Sequence, residues 1–244
     1  MPQLFTCADN RSPISLYMVI LDIMMKGWSE GSLVPSTLQP SVIDLEMSRA
    51  SLMQALRQGT AIEHKAVEQS LKLMRDDVSL DDVRAYLLLM WRVHVNLESQ
   101  LGDVPRLAQV LPDLDQRRRL ALTEQALLSL GVSGAQLDAQ APRVELPRLR
   151  DVETALGALY VLEGSTLGGR IIRRHLEALL GAQCAGALAY LMPYSDLSEM
   201  WKRFGAAVDA YGKSHPQSVP RIVAAAVSVF QGIQRHSQRA HELP

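Results

Sequence analysis

One histidine and its helical neighbours have the residue types and spacing of a metal ligand. His64 lies at the margin of an apolar arc, and Glu68 follows it one helical turn later. A carboxylate there can accept a hydrogen bond from the imidazole Nδ1 while Nε2 faces a metal. Arg57 precedes His64 by about 20° around the helix axis and roughly 10 Å along it. The alternatives are a structural histidine and a solvated Glu68 that pairs with Lys65 or Lys72.

A second segment, ALYVLEGSTLGGRIIRRHL at residues 158–176, contains three glycines within a strong helical pattern. Gly164, Gly168 and Gly169 each cost a helix roughly 1 kcal/mol relative to alanine. They therefore indicate a kink, or a place where another group approaches the backbone closely. A flat ligand would fit such a place. Close packing of two helices is the alternative.

The elements that must position these residues are helices. Apolar residues recur at three- and four-residue spacing from Ser48 onward, on an arc formed by Leu52, Leu56, Gly59, Ile62, Ala66, Val67 and Leu73. No strand-like alternation competes, so we predict an all-α, single-domain helical bundle. Clusters of glycine and proline separate the segments. The further predicted helices are Leu80 to Leu101, Asp113 to Leu130, Asp151 to Leu180, Asp196 to Tyr211 and Pro220 to His236.

The amino-terminal part of the chain differs from the rest. Residues 14–25 form an apolar stretch that is too short to span a bilayer and is interrupted by Asp22. Residues 28–46 are rich in Ser, Pro and Gly and resemble a linker. We therefore predict a dispensable extension at residues 1–46 and a helical domain at residues 47–240.

Composition excludes several classes of protein. Of the 244 residues, 48% are hydrophobic, which is ample for a core. The formal net charge is −1, so the chain has no basic surface expected to bind nucleic acid. We expect no membrane partner. Cys7 and Cys184 are far apart and lack partners at metal-ligand spacing, which argues against a disulfide framework or a structural zinc site. A reducing cytoplasm is the expected location.

Four segments of the chain together resemble the heme oxygenase family. RQGTAIEHKAVE (residues 57–68) is similar to the proximal-helix motif, and LYVLEGSTLGGRII (residues 159–172) to the distal-helix motif. Between these motifs, YLLLMWRVHVNLE (residues 86–98) is similar to the second helix of the family, and YLMPYSDLSEMWKRF (residues 190–204) is similar to its later aromatic segment. The resemblance covers about residues 50 to 236. It is strongest to the bacterial branch, which includes enzymes that supply biliverdin to bacteriophytochromes.

The resemblance implies roles for residues of the first motif. His64 would be the proximal ligand of the haem iron, and Glu68 its hydrogen-bonding partner. Thr60, four residues before the histidine, belongs to the same haem-binding motif. Arg57 would contact a haem propionate. Lys202 is a candidate for the second propionate contact, with a solvated lysine as the alternative.

On the opposite side of the haem, the resemblance implies that Gly164, Gly168 and Gly169 form the distal wall and leave a small space for dioxygen. Many family members have an aspartate directly after the first of these glycines, where it orders water near the oxygen. This chain has Ser165 instead. A serine hydroxyl can hold water but brings no charge.

The implied activity treats haem as both substrate and cofactor. Dioxygen and electrons would convert it to biliverdin, carbon monoxide and ferrous iron. The electrons would come from an external ferredoxin or reductase, because the chain contains no flavin, nicotinamide or iron–sulfur motif. A bacteriophytochrome could receive the biliverdin. Two alternatives remain: a non-catalytic haem sensor or carrier, and a thiaminase-like enzyme on a similar bundle, for which Cys7 and Cys184 are badly placed.

Overall fold

A computed structural model describes residues 51–139 and 145–239, which form helices and no β-strand. The predicted all-α fold is confirmed. The extension predicted at residues 1–46 lies outside the described residues, so the domain boundary stays a prediction. The helices are α1 (Leu52–Gly59), α2 (Ala61–Ser70), α3 (Leu80–Leu101), α4 (Leu107–Val110), α5 (Leu120–Ser129), α6 (Gly134–Ala139), α7 (Val152–Gly164), α8 (Gly169–Leu180), α9 (Leu197–Ser214) and α10 (Val219–Arg239).

Polar caps fix where two central helices begin. The Ser79 hydroxyl accepts the backbone N–H of Asp82 at 3.2 Å, and the Asp82 carboxylate accepts the N–H of Ser79 at 3.0 Å. Asp151 and Thr154 form the same reciprocal arrangement at the start of α7. Each cap satisfies N–H groups that the helix cannot pair itself and contributes about 1 kcal/mol.

The core is organised around α10, which packs against α7, α2 and α1, while α3 packs against α5. Where α7 crosses α10, a Cβ on Gly157 would lie 2.5 Å from the carbonyl oxygen of Ile222, so only glycine allows this approach. Several large side chains are completely buried, including Leu56, Phe204 and Ile222. This packing holds α2 and α7 in fixed positions on either side of the cleft described below.

Two of the predicted helices are each divided in two. The helix predicted from Ser48 onward is interrupted at Thr60, whose φ of −113° and ψ of 3° are not helical. The change of direction takes Ile62 off the predicted arc, and its side chain is 81% exposed. The helix predicted from Asp151 to Leu180 is divided between Gly164 and Gly169, so the glycines mark a break and not a continuous helix.

The helix predicted from Asp113 to Leu130 begins later than expected. Residues Leu114–Arg117 form a 3-10 turn, and α5 starts only at Leu120. The reason is that the side chains of Arg117 and Arg119 are buried and directed inward, an arrangement that a pattern based on apolar residues does not anticipate. The short helices α4 and α6 lie in segments that were predicted as breaks.

Candidate active site

An apolar cleft opens between the α1–α2 junction and the α7–α8 junction, with α3 and α10 along its sides. Its empty space, including the part open to solvent, is about 1020 Å³. Apolar side chains form much of the lining, among them Val67, Leu71, Met90, Ile172 and Ile233. Seven of the nine predicted site residues line it: Arg57, Thr60, His64, Glu68, Gly164, Ser165 and Gly168.

His64 faces this cleft from α2. Its ring meets the ring of Phe230 edge-to-face, with centroids 5.5 Å apart and planes at 80°. Burial lowers the pKa of His64, so the imidazole is neutral near pH 7 and can offer a nitrogen lone pair. The side chain keeps 27% of its surface exposed, so a ligand in the cleft can reach it.

Glu68 lies one turn beyond His64 and has no hydrogen-bond partner for its buried Oε1. This oxygen is 3.7 Å from His64 Nδ1, just beyond hydrogen-bonding distance. Burial raises the pKa of Glu68 to about 7. A metal bound at Nε2 of His64 would fix the tautomer that carries the proton on Nδ1, and that proton would have Glu68 as its acceptor. The unsatisfied carboxylate therefore fits a histidine-ligated group in the cleft.

Thr60 and Arg57 occupy the end of α1. The Thr60 hydroxyl donates to the carbonyl of Leu56 at 2.8 Å and closes the last turn of the helix. Burial raises the pKa of Tyr160 to about 12, while a hydrogen bond with Thr60 and the charge of Arg57 act in the opposite direction. Arg57 is half-buried and lines the cleft, so it places a cation beside the apolar surface.

The opposite wall is formed where α7 ends and α8 begins. A Cβ on Gly164 would meet nothing within 4 Å, so the absent side chain corresponds to open space and not to helix packing. Gly168 also lines the cleft, and Ser165 lies between them with its hydroxyl donating to the Leu162 carbonyl at 2.7 Å. The junction itself therefore contributes two glycines and one small polar side chain to the lining, while Tyr160 and Val161 of α7 and Ile172 of α8 border it.

The structure does not bring two predicted site residues to the cleft. Gly169 packs against the segment Ala187–Leu191, because a Cβ there would lie 2.0 Å from the Leu191 carbonyl oxygen. Gly169 is therefore a packing residue, as the alternative interpretation of the glycines predicted. Lys202 is exposed on α9 and is absent from the cleft lining, so the solvated alternative describes it.

A buried polar cluster behind Ser165 was not identified from the sequence. His94 Nδ1 lies 2.7 Å from Glu98 Oε1, and His94 Nε2 lies 2.9 Å from the Tyr190 hydroxyl. Glu98 also accepts the backbone N–H of Arg119 at 2.8 Å. The spacing of His94 and Glu98 repeats that of His64 and Glu68, which was a usable signal. No sequence pattern marked the buried side chain of Arg119.

Burial raises the pKa of Glu98, but the hydrogen bonds from His94, Arg119 and Leu120 outweigh this effect and hold the pKa below its ordinary value. Glu98 is therefore ionised at neutral pH. Burial lowers the pKa of His94, so its imidazole is neutral. It follows that His94 Nδ1 donates to Glu98, and Nε2 accepts from the Tyr190 hydroxyl.

His64 is the residue of the cleft that could bind a metal carried by a ligand. In residues 51–139 and 145–239, no group of three or more His, Cys, Asp or Glu side chains is arranged to bind a metal ion. Iron that arrives within a porphyrin needs only one axial ligand from the protein, and His64 can supply it. Among the same described residues, no helix is long and apolar enough to cross a membrane.

Comparison with known proteins shows the family and the fold of the chain. The family model described as heme oxygenase matches residues 50–238, so the chain belongs to the heme oxygenase family. Its fold is similar to that of NO- and CO-bound heme oxygenase from Neisseria meningitidis (20% identity, 80% of this chain and 94% of that chain, TM-score 0.60). It is also similar to heme oxygenase from Leptospira interrogans (18% identity, 78% and 100%, TM-score 0.63). No curated protein sequence matches the chain.

Proposed function

We propose that this protein cleaves haem with dioxygen to biliverdin, carbon monoxide and ferrous iron. The observation that carries the proposal is the arrangement across one apolar cleft. His64, with the unsatisfied carboxylate of Glu68 behind it, faces a wall in which Gly164 and Gly168 have no side chain. Family membership supports haem degradation as the general activity.

In this proposal each wall has a distinct task. His64 Nε2 would hold the haem iron, and Glu68 would accept the Nδ1 proton and make the imidazole a stronger donor. Arg57 contacts a propionate at the edge of the cleft, a task that the position of Lys202 does not favour. Bound haem would supply two things: an iron that accepts electrons and dioxygen, and a porphyrin ring that is the substrate.

The α7–α8 junction lines the cleft with two glycines, Gly164 and Gly168, and one serine. A Cβ on Gly164 would meet nothing within 4 Å and Gly168 also lines the cleft, so the junction would leave room for a small molecule beside bound haem, and the apolar lining would exclude bulk water. Ser165 contributes a hydroxyl to the same part of the lining. Its oxygen can accept a hydrogen bond from a water molecule, because its own proton goes to Leu162.

The reaction needs partners that the chain does not supply. An external ferredoxin or reductase is the proposed electron donor, since the sequence lacks a motif for a redox cofactor of its own. We place the reaction in the cytoplasm, where such donors are reduced. A bacteriophytochrome is the proposed receiver of biliverdin.

Hemin titration followed by aerobic turnover tests this function. We expect one hemin per chain, a Soret band, and its conversion to the biliverdin absorption when a reductant and air are added. His64→Ala should remove the axial imidazole and keep the helical circular dichroism spectrum, and added imidazole should restore the ligand. His175→Ala is the matched control, because His175 on α8 contacts the Arg75 carbonyl at 3.0 Å and does not line the cleft.

Gly168→Leu separates catalysis from binding. The added side chain would fill the space opposite His64, so hemin affinity should persist while turnover falls far more.

An unchanged Soret spectrum in His64→Ala would contradict the ligand assignment. A Soret band that survives reductant and air in the parent protein would favour a haem carrier, the function to which a neutral Ser165 would be best suited.

A further inference from the structure

Arg119 places a buried positive charge directly behind the Ser165 wall of the cleft. The residue is 2% exposed, and its guanidinium donates to the carbonyl of Leu162 and, through two long contacts of 3.5 Å, to the Ser165 hydroxyl oxygen. Its Cζ lies 5.8 Å from the centre of the Tyr190 ring. Nε is buried and has no hydrogen-bond partner.

In the part of the chain that the structure describes, this charge has no direct ion-pair partner. Within residues 51–139 and 145–239, no carboxylate oxygen lies within 4 Å of the Arg119 guanidinium. Arg117, two residues earlier and also buried, is different, because it pairs with Glu163 at 2.5 Å and with Asp113 at 2.8 Å. The carboxylate of Glu98 accepts the backbone N–H of Arg119 and the imidazole proton of His94, so its negative charge lies near Arg119 without pairing with the guanidinium.

The other titratable groups around Arg119 are Glu163, whose negative charge raises the pKa of Arg119 while its carboxylate pairs with Arg117, and buried tyrosines that are neutral at physiological pH. Tyr190 and Tyr86 have pKa values raised by burial, with Tyr86 at about 12, so both phenols keep their protons. The Ser165 hydroxyl carries no charge. Glu98 and Glu163 offset part of this charge without pairing with the guanidinium, whereas the Ser165 hydroxyl that the guanidinium contacts lines the cleft, where the apolar surroundings screen the remaining field far less than water would.

We propose that Arg119 is a positioning residue that holds the Ser165 hydroxyl and gives the distal side of the cleft a positive potential. The cleft would then stabilise a small anion bound opposite His64. This inference rests on the proposed haem site, and it assigns a task to a residue outside the cleft lining. Where an aspartate after the first distal glycine would bring negative charge, this chain combines a neutral serine with a buried arginine.

Azide affinity of the ferric hemin complex tests the potential without turnover. Arg119→Gln keeps a donor for the Leu162 carbonyl but removes the charge, and Arg119→Lys keeps the charge. We expect the azide Kd to rise about tenfold or more in Arg119→Gln and to stay within about threefold of the parent in Arg119→Lys. Equal azide affinities in the parent and Arg119→Gln would overturn the inference.

A second pair of variants leaves Arg119 intact, so it tests the positive potential even if Arg119→Gln and Arg119→Lys do not fold. Ser165→Asp introduces a carboxylate beside the guanidinium, and Ser165→Asn is the neutral control of the same size. Next to a positive charge the introduced carboxylate stays ionised, so the azide Kd of the two variants should change in parallel between about pH 5.5 and 7.5. Without that charge, burial would raise its pKa as it does for Glu68, and only Ser165→Asp would titrate in this range.

The hemin titration distinguishes failure of this inference from failure of the proposed function. Loss of both hemin binding and the Soret band in the parent protein would contradict the haem site and the inference together. Normal hemin binding with an azide Kd that is insensitive to Arg119→Gln, or with a titration confined to Ser165→Asp, would contradict the inference alone.

Discussion

His64 Nδ1 lies 3.7 Å from Glu68 Oε1, whereas the same spacing along a helix brings His94 Nδ1 to 2.7 Å from Glu98 Oε1. The second pair is closed because Tyr190 engages Nε2 of His94, which fixes the tautomer that donates to Glu98. In the first pair Nε2 belongs to a ring that borders the cleft. A metal at that nitrogen would have the same effect on His64 as Tyr190 has on His94.

Replacing Glu68 should therefore change the electronic properties of the bound iron. Glu68→Gln keeps an acceptor oxygen but removes its charge, so the imidazole becomes a weaker donor and stabilises the ferric state less. We expect the midpoint potential of the haem complex to rise by on the order of 50 mV, a change of roughly tenfold in the one-electron equilibrium. Spectroelectrochemistry measures it. Glu63→Gln, on the same helix but outside the cleft lining, should leave the potential unchanged.

Two glycines of one segment should respond oppositely to the same substitution. Gly169→Ala drives a Cβ toward the Leu191 carbonyl oxygen, which lies 2.0 Å from that position, and should lower the free energy of unfolding by about 2–3 kcal/mol. Gly164→Ala meets nothing within 4 Å and should leave stability unchanged or raise it by a few tenths of a kcal/mol. Urea unfolding of the haem-free proteins checks both. Equal losses would show that Gly164 is also a packing position.

Glu98 should make the haem-free protein sensitive to acid. Because its pKa is lowered in the folded state, its stabilising contribution is complete above the ordinary carboxyl pKa and is lost as the pH falls through the folded value. Glu98→Gln should cost about 2–4 kcal/mol at pH 7, and the difference from the parent should shrink toward pH 4. Burial lowers the pKa of His94, which adds acid sensitivity of the same sign below its ordinary pKa.

Urea unfolding across this pH range measures the effect of Glu98→Gln. Glu177→Gln is the control, since Glu177 is an exposed residue paired with Arg173 and its loss should change stability by less than about 0.5 kcal/mol at any pH. A difference between parent and Glu98→Gln that stays constant with pH would mean that the carboxylate is not held ionised by its partners.

The sequence identified the cleft because its essential residues follow local rules. His64 and Glu68 are one helical turn apart, and glycines that interrupt a helical pattern mark a backbone that something must approach. Sequence reasoning did not identify Arg119, because its importance depends on the distant segment that contains Ser165. It also could not separate Gly168 from Gly169, which are adjacent but face the cleft and the Leu191 carbonyl, respectively.

The last prediction concerns the cation at the edge of the cleft. Arg57 borders the apolar lining on the side of His64, whereas Lys202 is exposed and outside that lining. If Arg57 contacts a propionate, Arg57→Gln should weaken hemin binding about tenfold, in line with loss of a charge-assisted hydrogen bond at a partly exposed site. Lys202→Gln should have no effect. Hemin dimethyl ester carries no carboxylates, so it should bind the parent and Arg57→Gln with equal affinity, as measured by Soret titration. A tenfold loss with the ester as well would mean that Arg57 stabilises the end of α1 and not the ligand.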